Sequence, residues 1–168
     1  DRVAGLLLYG TSPCGHWTPE TPWGLKSEGF DLWVDRLTDP AQYDKGLRLF
    51  APSVADDPQV RHWYARLLRH AASRVGVIEL LRAFHAVDLR ARLAALRVPT
   101  LVMQRQGDRV VPAAAGELLA RAIPGAQIER LQGEDHFLWC GEWQALVSAI
   151  ERFTARHGHA RLEVAEAA

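Results

Sequence analysis

An α/β fold, with parallel strands flanked by helices and interrupted by a helical insertion, is what this chain of 168 residues predicts. Three observations carry the prediction. Two apolar runs, residues 99–103 and 126–131, have the length and composition of buried strands. Each leads into a Gly- and Asp-bearing turn, Gly107-Asp108 and Gly133-Glu134-Asp135-His136. Between them lies an amphipathic helix, and alternating strands and helices imply a parallel sheet with right-handed crossovers.

Taken in order, Val3 to Tyr9 is an apolar run closed by Gly10 and reads as the first strand. It is apolar on both faces, as expected of a strand in the interior of a parallel sheet. Residues 11–29 contain Pro13, Pro19 and Pro22 among Gly and Thr, a loop composition. From Phe30 to Leu96 the pattern is helical. Asp39-Pro40 and Asp57-Pro58 mark helix starts, with Asp as N-cap and Pro at the first helical position. Val60, Trp63, Tyr64, Leu67 and Leu68 share one predicted helical face, and Ile78, Leu81 and Phe84-His85 continue the pattern. Ala115, Leu118, Leu119, Ala122 and Ile123 form the helix between the second and third strands, ended by Pro124-Gly125. Trp143, Leu146, Val147, Ile150 and Phe153 form the last helix. The expected organisation is a core strand and loop over residues 1–15, a helical cap over 16–96, strand-helix-strand-helix over 97–157 and a frayed tail over 158–168.

Composition excludes several functions. The 20 basic and 20 acidic residues cancel, giving no electrostatic case for nucleic acid or a membrane surface. No apolar run has the length of a membrane span. Two cysteines, Cys14 and Cys140, do not make a disulfide framework, so a cytoplasmic location is expected. The start at Asp1-Arg2-Val3 reads as the interior of a longer polypeptide. No phosphate-binding Gly loop occurs and no cofactor is expected. His157-Gly158-His159 lacks a third ligand, which argues against a metal site.

The chemistry concentrates after the second and third strands. Asp108 and His136 are predicted at the same end of neighbouring parallel strands, the carboxyl end where open α/β sheets bind ligands. An Asp that accepts from His Nδ1 and so fixes its tautomer forms two members of a Ser-His-Asp site. Asp135 is expected to set the turn that presents His136. Gly10-Thr11-Ser12-Pro13-Cys14-Gly15 superficially resembles a nucleophile loop, but Pro13 disfavours the required strand-to-helix turn. A disulfide between Cys14 and Cys140 is not expected, because their loops flank different strands. Of the six tryptophans, Trp17 and Trp139 are candidate lining for an apolar substrate pocket, whereas Trp63 and Trp143 are expected to pack cap against core.

These features resemble one known family. Leu8-Tyr9-Gly10-Thr11, Leu49-Phe50-Ala51-Pro52-Ser53-Val54-Ala55-Asp56-Asp57-Pro58, Arg97-Val98-Pro99-Thr100-Leu101-Val102, Gly107-Asp108-Arg109-Val110-Val111-Pro112 and Gly133-Glu134-Asp135-His136 follow its pattern. The chain is similar to the C-terminal part of the α/β-hydrolase fold. In particular it resembles bacterial hydrolase domains found alone or fused to adenylate/guanylate cyclase or helix-turn-helix regulators. The resemblance implies that Asp108 is the acid and His136 the base. It implies a nucleophile on a G-x-S-x-G turn, and none of Ser12, Ser27, Ser53, Ser73 and Ser148 has that frame. The nucleophile and oxyanion donors are therefore expected upstream, in the same chain or a second one. The implied activity is hydrolysis of small apolar or ester-like substrates. A non-catalytic ligand-sensing module of a signalling protein, and an epoxide or C–C hydrolase or cofactor-free haloperoxidase, are the alternatives on the same scaffold.

Overall fold

The computed structural model describes residues 3–157. The expected tail and His159 lie outside the described residues. Three parallel strands form the sheet: β1 (Leu6–Tyr9), β2 (Thr100–Arg105) and β3 (Gln127–Leu131), in the spatial order β1-β2-β3. Leu8 pairs with Val102, and Val102 with Ile128. The strand between the other two is buried at every position.

The sheet is covered on both faces. Helix α6 (Ala113–Ala122) follows β2 and packs Leu119 against Val102, with Leu93 and Ile123 in the same cluster. Helix α7 (Trp143–His157) follows β3 and packs Leu146, Ala149 and Phe153 against Leu101, Met103 and Leu131. Leu101 and Val102 thus serve opposite faces, as the two-residue period of a strand requires. Gly116 lets α6 approach closely, since a Cβ there would lie 2.8 Å from Gln104 Cβ.

Between β1 and β2 runs a helical segment: α1 (Phe30–Thr38), α2 (Tyr43–Phe50), α3 (Pro58–Ala71), α4 (Arg74–Ala86) and α5 (Arg90–Leu93). The Asp-Pro signals operate as caps. Asp57 accepts from the Gln59 amide at the start of α3. Asp39 caps a short 3-10 turn, Pro40–Gln42, that leads into α2 rather than opening it. Tyr43, Leu47, Ala51, Ala55 and Tyr64 form a core of this segment, joined by Cys140 from the loop before α7. The segment contacts the loops at the carboxyl ends of the strands. The Phe50 carbonyl accepts from the His136 and Phe137 amides, and Cys14 forms an isolated bridge with Asp88.

Several expectations are corrected. The first strand begins at Leu6, not Val3, and lies at one side of the three-stranded sheet. Its outer side carries no strand among the described residues, and Leu7 is exposed. On α3 only Tyr64 is fully buried, while Trp63 and Leu67 of the same predicted face are exposed. Helix α4 has no buried residue at all. Trp143 is also exposed, and Trp63 meets the loop before α7 edge-on, through Trp139. A helical stripe fixes which residues share a face, but the width of the neighbouring surface decides how many are covered.

Candidate active site

Gly107-Asp108 follows β2 by two residues, and the turn after β3 leads to His136. The two turns are joined through the backbone, Gln106 N–H to the Leu131 carbonyl and Gly107 N–H to the Gly133 carbonyl. Asp108 is 4 % exposed. One carboxylate oxygen accepts from the amides of Val110 and Val111 at 2.8 and 3.0 Å. Its other oxygen lies 2.9 Å from His136 Nδ1. A carboxylate accepting there requires the proton on Nδ1, which leaves Nε2 with a lone pair in the neutral ring.

The imidazole is held from several sides. Phe50 sets its ring edge-on to His136 at 5.6 Å and stacks on Phe137 at 5.4 Å. The Phe50 carbonyl accepts from the His136 amide at 2.7 Å. Gly10, with φ +51°, lies under the pair. A Cβ there would stand 3.2 Å from His136 Cε1 and 3.5 Å from Asp108 Oδ2. Only glycine combines that backbone with that clearance. Asp135 is buried, and its carboxylate accepts from the Ser53 amide at 3.0 Å, tying the His136 turn to the helical segment.

His136 borders a cavity of about 440 Å³ with Val110 and Val111. The remaining wall is apolar, supplied by Trp23, Trp33, Leu37, Phe50, Leu80, Leu81 and Phe84. Among the described residues no Lys, Arg, Asp or Glu lines it. Ser12 and Cys14 reach the same cavity. The Ser12 hydroxyl is already engaged, donating to the Cys14 carbonyl at 2.9 Å and accepting from Trp23 Nε1 at 3.0 Å. Cys14 is a buried free thiol that donates to the His16 carbonyl at 3.4 Å. Cys140 is likewise free and belongs to the core of the helical segment. Asp88 stands beside Cys14 and His16, but both its oxygens are taken by Arg90, which draws its carboxyl down to about 2.

Neither proposed pocket tryptophan lines this cavity. Trp17 is 42 % exposed and lies under the Lys26 ammonium at 5.3 Å. Trp139 is 53 % exposed, stacked on Phe137 and edge-on to Trp63, in a separate surface groove with Trp143. The tryptophans that line the cavity with His136 are Trp23 and Trp33. Proximity in sequence to His136 favoured Trp139, yet the chain turns away at Phe137. Phe50 and Gly10 were legible only as parts of a motif, without a role. Arg105 gave no signal, because an arginine ending a strand ordinarily points to solvent.

Against known proteins, the chain is 28% identical over 152 residues to the AB hydrolase superfamily protein YisY of Bacillus subtilis, covering 89% of the chain and 56% of that protein. It is 32% identical over 151 residues to the pimeloyl-[acyl-carrier protein] methyl ester esterase of Aromatoleum aromaticum, covering 80% of the chain and 58% of the esterase. Its fold superposes on an esterase from Exiguobacterium antarcticum with a TM-score of 0.81 at 22% identity, over 92% of the chain and 58% of that structure. No protein-family model matches the chain. The described fold is a portion of the α/β-hydrolase fold, three parallel strands with flanking helices. The chain spans a little under three fifths of the length of these relatives. No described helix is long and apolar enough to cross a membrane.

Proposed function

We propose that the chain provides the acid and base of a Ser-His-Asp hydrolase site acting on uncharged ester-like substrates. The 2.9 Å contact between Asp108 and His136 Nδ1, at the mouth of an apolar cavity, carries this reading. Asp108 holds the Nδ1 tautomer and stabilises the imidazolium. His136 Nε2 takes the proton of an attacking hydroxyl, then returns it to the departing alcohol. The hydroxyl comes from a nucleophile outside this sequence, as do the donors for the oxyanion. The helical segment, residues 16–96 in this reading, is the cap that shields the reacting carbonyl from water. A methyl ester esterase among the relatives supports ester substrates.

The test uses the full-length protein with an activated ester. Asp108→Asn and His136→Ala should each lower kcat by on the order of 10³–10⁴. Activity within a few-fold of the parent would overturn the assignment. Residues 1–168 alone should hydrolyse the ester no faster than free imidazole, since most of the rate enhancement has no donor here. A substantial rate removed by His136→Ala would place a nucleophile within this chain, and Cys14→Ser would be the next variant.

A further inference from the structure

Arg105 is 1 % exposed, although it is a charged residue at the end of β2. Its guanidinium does not serve the sheet. Nη1 donates to the Asp135 carbonyl at 2.9 Å and to the Phe137 carbonyl at 3.2 Å, and Nη2 donates to the Cys140 carbonyl. The first two carbonyls belong to the residues immediately before and after His136. The guanidinium charge is balanced by the Asp135 carboxylate, whose Oδ2 lies 3.8 Å from Nη1. That carboxylate also accepts from Ser53 N, and the Tyr9 hydroxyl donates to the Asp135 carbonyl at 3.3 Å. Gly141, with φ +60°, closes the turn, and a Cβ there would stand 2.6 Å from Asp135 Oδ2.

Arg105 is also three residues ahead of Asp108 on the strand that presents the acid. One planar group, rooted in the acid's strand, therefore grips the backbone on both sides of the base. We infer that Arg105 is a positioning residue that fixes the separation of His136 from Asp108. The inference rests on the reading of those two residues as base and acid. The fork geometry matters: the two Nη nitrogens reach the Asp135 and Phe137 carbonyls and the Cys140 carbonyl separately, whereas a lysine ammonium is a single point. Removing the guanidinium takes a donor from each of these carbonyls, leaving the Asp135 carbonyl to the Tyr9 hydroxyl and the Phe137 carbonyl to the Cys140 amide. The loop then has reason to shift, carrying Nδ1 away from the carboxylate.

The experiment reads the geometry by NMR and so does not depend on activity. In the unsubstituted protein the Arg105 Nη protons should appear as separate, slowly exchanging resonances. The His136 Nδ1–H should give a downfield, exchange-protected resonance that Asp108→Asn shifts or removes. Arg105→Lys and Arg105→Met should each lose that resonance at temperatures where circular dichroism shows the fold retained. An unchanged Nδ1–H resonance in either folded variant overturns the positioning role. So do Arg105 Nη protons averaged by free rotation, a result that needs no variant. If Asp108→Asn and His136→Ala leave hydrolysis intact while the Arg105 variants lose the resonance, the catalytic reading fails and the clamp stands.

Discussion

At the scale of single residues, the site depends on groups that do no chemistry. Gly10 is the sharpest case. Its left-handed backbone costs any L side chain about 1–2 kcal/mol, and a Cβ would press on the His136 ring at 3.2 Å. Gly10→Ala is expected to lower ester turnover in the full-length protein by on the order of a hundredfold, the cost of displacing a catalytic group by an ångström. Steady-state kinetics on a variant with unchanged circular dichroism checks this. Tyr64 makes the opposite point. Its hydroxyl is buried with no hydrogen-bond partner among the described residues, between α2 and α3. Tyr64→Phe should be neutral or stabilise by up to about 1 kcal/mol, measured by urea unfolding.

At the scale of elements, the helical segment is secured at its caps, and two tyrosines tie stability to pH. Asp57→Ala removes the acceptor for the Gln59 amide and should cost about 1 kcal/mol. Tyr9, at the end of β1, and Tyr64, on α3, both have their phenol raised to about 12, with burial the leading cause. Their folded-state values exceed the ordinary 10.0, so the folded state holds these protons more tightly than the unfolded one. Their contribution is therefore full below pH 10 and is lost as pH rises towards about 12. Stability should fall across that window, and Tyr9→Phe or Tyr64→Phe should flatten the fall. Denaturation midpoints taken at intervals across it provide the check. An equal slope in both variants would show that other groups drive the alkaline loss.

Taken whole, the molecule presents a buried centre and an uncovered flank. β2 is enclosed on both faces and both sides, while β1 exposes Leu7 and has no strand on its outer side among the described residues. Unpaired apolar edges invite pairing with another chain. We expect residues 1–168, expressed by themselves, to self-associate or to unfold without a sharp transition. Light scattering and thermal melts test this, and a monodisperse monomer with a cooperative melt would sink it. In that event the covering is expected from the loop after β1, residues 11–29.

Local sequence was enough to determine the three strands, the helices between them and the Asp-Pro caps, because period and capping act within a few residues of chain. It also determined that Asp108 and His136 share one end of the sheet, since parallel strands present the turns that follow them on one side. What surrounds the pair was decided by tertiary structure alone. Trp23 and Trp33 line the cavity that His136 borders while Trp139 does not, because the chain reverses at Phe137 and the helical segment folds back through Phe50. Arg105 is buried because the Asp135, Phe137 and Cys140 carbonyls converge on it from about 30 residues away. Such convergence is a property of three-dimensional packing, and no pattern local to residue 105 encodes it.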